Sequence, residues 1–375
     1  MKGSTVSHFL AAMIVLLCVG SAALGQETPQ QKPPKVTTPW TPRTGRTTAP
    51  TQEPSVAAPS LNTSTWTAIG PASLNSGTTN GLVSGRVTGI AADPTNANII
   101  YAAPAGGGVW KTTDSGSTWT EITDTQSTMS MGAIAVAPSN PSVIYAGTGE
   151  ANNSGDSNYG LGILTSTDGG NTWTLRTGPS DAFNRLTTSQ IAVDPTNSSI
   201  AYAAMADFGA NSLFGSNTGI WKTTDGGATW TNTTTAITSE FPWSAVVVDP
   251  NNGQNLYAAV GYLYGDTENG VYRSLNGGGS WSLLANAPNG SNTGRIALGL
   301  GKSNSSVLYA AVQDPHTFAL YGMFRSDNAN TTATFTTLSA TPNFLGGQGW
   351  YDIVVAVDPP EVSALAALGV PAAVP

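Results

Sequence analysis

The sequence predicts an all-β fold, a β-propeller of four-stranded antiparallel blades, with five blades recognisable and a sixth begun. Three observations predict it. First, one octapeptide is written four times, as TTDSGSTW (112–119), STDGGNTW (166–173), TTDGGATW (223–230) and SLNGGGSW (274–281), with a worn fifth copy at 326–335. Its third residue (Asp114, Asp168, Asp225, Asn276) recurs at intervals of 54, 57 and 51, and a period of that length means one supersecondary unit reused. Second, each copy is preceded by a β-branched run closed by an Asp-Pro or Asn-rich cluster, then by a run ending near a Tyr (Tyr101, Tyr145, Tyr202, Tyr257, Tyr309). Third, charged residues are only 10% while Gly numbers 43 of 375, a composition suited to many short strands and turns.

Along the chain, residues 1–25 read as a secretory leader: Lys2, an apolar run from Phe9 to Gly20, and Ala23 and Gly25 at the cleavage positions. The run is too short for a membrane span, so no span is expected after cleavage. Cleavage removes Cys18, the only cysteine, leaving a mature chain without disulfides. The expected location is secreted, periplasmic or cell-surface. Residues 26–63, rich in Pro, Thr and Gln, cannot bury enough apolar surface to fold and read as a semi-stiff spacer. The propeller is then expected over 64–359. Residues 65–69 read as a lone outermost strand, and Trp350 to Pro359 as the inner strand of a sixth blade. A non-repeat tail, 360–375, follows, as in a longer propeller shortened or frame-shifted at this point. Unpaired strand edges there predict association.

Within each unit the order is strand A, an Asp-Pro turn, strand B, a loop, strand C, the octapeptide box, and strand D. The box is a stapled turn. A short carboxylate accepts from amides two or three residues on, the next Gly tolerates a positive φ, and the closing Trp (Trp119, Trp173, Trp230, Trp281) packs. In this pattern, over roughly residues 85–340, the chain resembles the BNR or Asp-box repeats of sialidases, xyloglucanases and sortilin-type receptors, and of secreted bacterial proteins with the same repeat. We assign the box residues, Asp114, Asp168, Asp225 and Asn276 with their tryptophans, to structure.

Alternating strand direction puts the boxes on one rim and the B–C loops on the other. Those loops vary in length on a constant scaffold, which is where binding concentrates. They carry Glu150, Asp156, Tyr159, Asp207, Tyr262, Tyr264, Asp266, Glu268, Asp314 and His316; the strand A starts add Arg86, Arg185, Arg295, Trp243, Trp350 and Asp352. Acids with aromatics around a concave mouth suit sugar recognition. The ligand-binding candidates are therefore Arg86, Arg185, Arg295, Tyr159, Trp243, Tyr262, Trp350 and Asp352.

Glycoside hydrolysis would require two carboxylates about 5–10 Å apart, with Glu150, Asp156, Asp207 and Asp266 as candidates. The resemblance implies three arginines in a sialidase, and Arg86, Arg185 and Arg295 match in number. It implies a catalytic Asp just after the blade-one Tyr strand in a xyloglucanase, where this chain has Pro104 and Ala105. The favoured reading is an exported glycan- or protein-recognition module. Alternatives are a sialidase- or xyloglucanase-type hydrolase and an extracytoplasmic assembly factor. A formal charge of −8 argues against nucleic acid and leaves carbohydrate or a cell-surface protein as partner. With one His and no Cys in the mature chain, Cys/His zinc sites are excluded and no cofactor is expected. Calcium on loop carboxylates near Asp156 or Asp266 is compatible but unspecific. Oligomeric state is not specified by the sequence.

Overall fold

The computed structural model describes residues 86–153, 157–207 and 217–357, together with two short strands before them. The leader, the spacer, residues 65–69, Asp156 and the 360–375 tail lie outside the described residues. The chain divides into two units, Met1–Glu53 and Pro54–Pro375, and every described residue belongs to the second.

A two-stranded ribbon, β1 (Leu74–Asn75) with β2 (Leu82–Val83), comes first and was not foreseen. Five four-stranded antiparallel sheets follow in strict chain order. Blade one is β3 (Val87–Ala92), β4 (Ile100–Pro104), β5 (Trp110–Thr112) and β6 (Thr120–Glu121). Blade two is β7 (Met131–Val136), β8 (Ile144–Thr148), β9 (Ile163–Ser166) and β10 (Thr174–Arg176). Blade three is β11 (Thr187–Val193), β12 (Ala201–Ala206), β13 (Gly219–Thr223) and β14 (Thr231–Asn232). Blade four is β15 (Trp243–Asp249), β16 (Asn252–Val260), β17 (Gly270–Ser274) and β18 (Ser282–Leu283). Blade five is β19 (Ile296–Leu300), β20 (Leu308–Gln313), β21 (Leu320–Ser326) and β22 (Thr336–Thr337). The only helical element among the described residues is one 3-10 turn at Pro179–Asp181, and no helix there is long and apolar enough to cross a membrane. Residues 350–357 form no ladder: they run as an irregular segment over blade five, where a strand was expected, with Ile353 packed on Ala311 and Leu345.

Every box closes as its chemistry dictates. In blade two, Asp168 Oδ1 accepts from Ser166 Oγ (2.8 Å) and Thr172 N (2.9 Å), and Oδ2 from Thr172 Oγ1 (2.6 Å). Ser166 Oγ in turn accepts from Gly170 N at 2.9 Å. The residue after the acid adopts left-handed backbone, with φ 72° at Gly169 and 74° at Gly226, which explains the preference for glycine there. In blade four Asn276 does the same work, Oδ1 accepting from Ser280 N (2.8 Å) and Nδ2 donating to Ser280 Oγ (3.0 Å). Hydrogen bonds from Thr172 and Thr229 hold the carboxyls of Asp168 and Asp225 down at about 2, and those from Thr118 lower Asp114.

Blades are gripped to one another at this rim. The buried Tyr101 hydroxyl and Lys111 Nζ of blade one both donate to Gly169 O in the box of blade two, at 3.1 and 2.8 Å. Tyr202 and Lys222 do the same to Gly277 O, at 3.0 and 2.6 Å, and Tyr257 and Arg273 to Ala329 O, at 2.5 and 3.2 Å. Burial pushes these tyrosines up to about 12, so they remain donors.

Apolar packing fills the spaces between sheets. The residue of strand A opposite the Ala that follows each Tyr is Ile90, Ile134, Ile191, Val246 or Leu298. The last four are at most 8% exposed, whereas Ile90 is 69% exposed. Val87 repeats the contrast at 53%, against 0% for Met131, Trp243 and Ile296. Blade one thus carries the fold's apolar pattern on a face that no described residue covers.

Two outcomes test this account. A carboxyl whose folded value is depressed stabilises fully above its ordinary 3.8 and loses that contribution as pH falls through about 2. The double variant Asp168→Asn/Asp225→Asn should therefore fold, as Asn276 already allows, and its melting temperature should fall less than the wild type's between those values. Ile134→Ala should lower stability by about 2 kcal/mol in urea titration and Ile90→Ala by under about 0.5 kcal/mol at the same dilute protein concentration; equal costs would show Ile90 to be covered.

Candidate functional site

The first four inner strands each carry a bulge two residues in, between Val87 and Gly89, Met131 and Ala133, Thr188 and Gln190, and Trp243 and Ala245. The added residue turns its hydroxyl or backbone to the neighbouring blade: Thr88 Oγ1 lies 3.0 Å from Met131 O, and Ser244 Oγ donates to Ile296 O at 2.7 Å. Bulges at the end of a ladder re-aim what precedes them, and here that is the mouth of the central channel.

At this mouth a fully buried carboxylate meets two guanidinium groups. Glu150, at the start of the blade-two loop, accepts a two-pronged contact from Arg86, Nε to Oε1 at 3.1 Å and Nη2 to Oε2 at 2.7 Å. Ser157 Oγ donates to Oε2 at 2.8 Å. Arg295, just ahead of β19, is buried and donates from Nη1 to Trp350 O (2.8 Å) and from Nη2 to Asn152 Oδ1 (2.9 Å). It thereby joins blade five to blade two across the channel. Burial pulls Arg295 down to about 10, while the carboxylates of Glu150 and Asp352 oppose the drop, so it is cationic at neutral pH. The Arg86 guanidinium also lies 5.9 Å from the centre of the Tyr351 ring. Four of the predicted residues therefore meet here, Arg86, Glu150, Arg295 and Trp350, with Asp352 acting on Arg295 through its field.

A second feature shares the rim. Phe241, Tyr262, Tyr264 and Phe318 run as a chain of rings with successive centroid separations of 5.3, 5.6 and 6.0 Å, and Tyr264 is 59% exposed. Two fully buried amides hold the loops that carry these rings. Asn269 Nδ2 donates to Tyr262 O and Thr293 O while its Oδ1 accepts from Tyr262 N. Gln313 Nε2 donates to Leu263 O, and its Oε1 accepts from Arg295 N, so the aromatic loop and the channel mouth are fixed by one side chain.

The remaining candidates fall elsewhere. Trp243 is a correction: it is wholly buried between Tyr272 and Trp281, at the position taken by Met131 and Ile296 in other blades, and it offers nothing to a ligand. Arg185 is exposed with φ 69° and stacks 5.1 Å over the Tyr159 ring. Asp207 directly follows β12, and Asp266 sits in the blade-four loop accepting from Glu268 N at 3.0 Å. Asp114, Asp168 and Asp225 spend their oxygens within their own boxes. No group of three or more His, Cys, Asp or Glu that could hold a metal occurs among the described residues. Sequence reasoning missed Asn152, Ser157, Asn269, Gln313 and Tyr351. The one signal available was the Asn269-Gly270 pair heading strand C.

No protein-family model matches the chain. A xyloglucanase from Paenibacillus sp is 29% identical over 240 residues, covering 55% of this chain and 22% of that protein. A xyloglucanase from Hypocrea jecorina (strain QM6a) is 29% identical over 237 residues, covering 54% and 26%. The chain thus matches about a quarter of the length of these relatives. Among solved structures, a GH74 xyloglucanase from Xanthomonas campestris superposes with TM-score 0.51 at 20% identity, covering 69% of this chain and 38% of that one. An ancestral GH74 enzyme gives 0.50 at 23%, covering 75% and 32%. These structures show the propeller fold.

Arg86→Met leaves the Glu150 carboxylate buried without its bidentate partner and should cost about 3 kcal/mol in denaturant unfolding. The double variant Arg86→Met/Glu150→Leu should recover at least half of that loss. A single variant as stable as wild type would show that the pair does not hold the mouth.

Proposed function

We propose that this propeller is an exported protein of the Asp-box (BNR) type that binds a β-glucan of the xyloglucan class, as the polysaccharide-binding part of a glycoside-hydrolase-type protein. The observation that carries the reading is the 29% identity of the repeat region to xyloglucanases. It favours a hydrolase-type propeller over a receptor for proteins. The loop rim supports it: a line of rings for pyranose faces, carried on loops that also hold Asp266, Glu268 and Asp314. Export rests on the leader read in residues 1–25.

Cleavage by this chain is the second reading, and Glu150 and Asp352, whose charges both act on Arg295, are the carboxylates that favour it. Against it, Glu150 is clamped by Arg86 and Ser157, and Ala105 stands where the xyloglucanase resemblance places a catalytic Asp. Binding without turnover is therefore the expected behaviour of residues 1–375.

Affinity electrophoresis in gels containing tamarind xyloglucan tests this. The wild-type chain should be retarded, Tyr264→Ala should weaken retention about tenfold, as loss of an aromatic anchor does, and no reducing ends should be released. Absence of retardation by any β-glucan would remove the reading. Reducing ends that disappear in Glu150→Gln would transfer the function to hydrolysis at the mouth.

A further inference from the structure

Among the described residues, the arginines are engaged with one exception. Arg86 pairs with Glu150, Arg295 donates to Trp350 O and Asn152, Arg273 to Ala329 O, and Arg325 to Asp327, while Arg185 stacks over Tyr159. The exception is Arg176. At the end of β10 and half-buried, it makes no hydrogen bond and no ion pair with any described residue, and its Nε is enclosed with no acceptor. A guanidinium carries five donors and keeps its charge at every physiological pH. A half-buried cation with its donors unspent is a place for an acceptor from outside the chain.

The side chain borders a recess of about 300 Å³ between the outermost strand of blade two and the box of blade three, whose walls include Thr177, Gly178, Pro179, Thr229 and Trp230. None of these residues belongs to the channel mouth or to the line of rings. The turn that closes the recess is unusual: φ is 75° at Gly178, 51° at Ser180 and 63° at Asp181. A Cβ at Gly178 would stand 3.1 Å from the Phe183 ring, so the position calls for glycine. Phe183 pins the turn, its N donating to Thr177 O at 2.9 Å and its ring set edge-on to Trp230. Left-handed backbone at residues that bear side chains is uncommon and gathers at ligand clamps.

We propose that Arg176 and this recess form a binding site for a sugar carboxylate, a hexuronate unit of an acidic polysaccharide. The two Nη groups of a guanidinium are a planar pair of donors that matches a carboxylate. Pro179 and Trp230 give the recess apolar wall for the face of a sugar ring, and the Thr177 hydroxyl, without a partner among the described residues, is free for a ring hydroxyl. The volume is at the small end for ligand pockets and suits one sugar unit rather than a chain. A formal charge of −8 repels polyanions at large, so a uronate is held at this one cation or not at all. A neutral glucan carries no carboxylate, and the site does not rest on the reading of the rings.

Isothermal titration calorimetry of the full chain with trigalacturonate at low salt tests this. The other arms are its methyl ester, inorganic phosphate, and a short peptide with a free C-terminal carboxylate. Trigalacturonate should bind with unit stoichiometry and the ester should not. Arg176→Met should weaken binding by roughly ten- to a hundredfold, the worth of a charge-assisted hydrogen bond. Its melting temperature should match the wild type's, since no bond to the protein is lost. If Arg176→Met does not fold, Thr177→Glu, which sets a like charge in the recess, should abolish binding instead. Absence of binding by trigalacturonate overturns the proposal, as does an Arg176→Met chain that binds as the wild type does. Ester, phosphate or peptide bound as tightly as trigalacturonate overturns it too. None of these outcomes depends on retention by xyloglucan.

Discussion

The structure depends on a hydrogen bond between one blade and the next that no single blade can satisfy. A four-stranded sheet pairs its own backbone, but its box leaves a carbonyl pointing outward at the left-handed residue. That carbonyl is claimed by a tyrosine and a cation from the preceding sheet. The tyrosine is buried and keeps its proton; the cation lies against the ring and brings a charge-assisted bond. Placement of the second, fourth and fifth blades is thus set at the box rim, and apolar packing fills the space that the grip defines.

Fixing one rim frees the other. The B–C loops differ in length and sequence without disturbing the ladders, and their residues are spent on a mouth and a line of rings. The mouth is itself tightly built: a buried carboxylate, two guanidinium groups and a backbone carbonyl tie blades one, two and five to the segment after blade five. Gln313 connects that cluster to the aromatic loop. Any polysaccharide lying on the rings would rest on loops whose positions follow from the channel.

Much of the fold was legible because its determinants are local. The box needs only its own residues, and the alternation of strands A and B needs only period-two patterning and an Asp-Pro turn. The blade count and order therefore followed from sequence. Trp243 heads an inner strand, but a bulge follows it and its ring is buried in the seam, which strand-start position alone does not reveal. Convergence of Arg86, Glu150 and Arg295 depends on contacts across as many as 143 residues, which no spacing encodes. Asn269 and Gln313 were invisible because a buried amide gives no periodic pattern. The basic residue just before each box was in plain view, yet its role appears only when two blades stand side by side.

That residue is Lys111, Lys222, Arg273 or Arg325 in four blades, but Thr165 in blade two. There Tyr145 donates to Ser198 O and meets Trp230 edge-on at 6.4 Å, while Phe183 stands edge-on to Trp221 and Trp230 at 4.9 and 5.9 Å. That seam is also tied by main-chain bonds, from Thr188 N to Gly149 O at 3.2 Å and from Gly160 N to Leu186 O at 2.8 Å, and by Thr188 Oγ1 on Thr148 O at 3.2 Å. The second and third sheets therefore keep station without a cation, because loop and strand exchange bonds across the seam where a lysine serves at its neighbours.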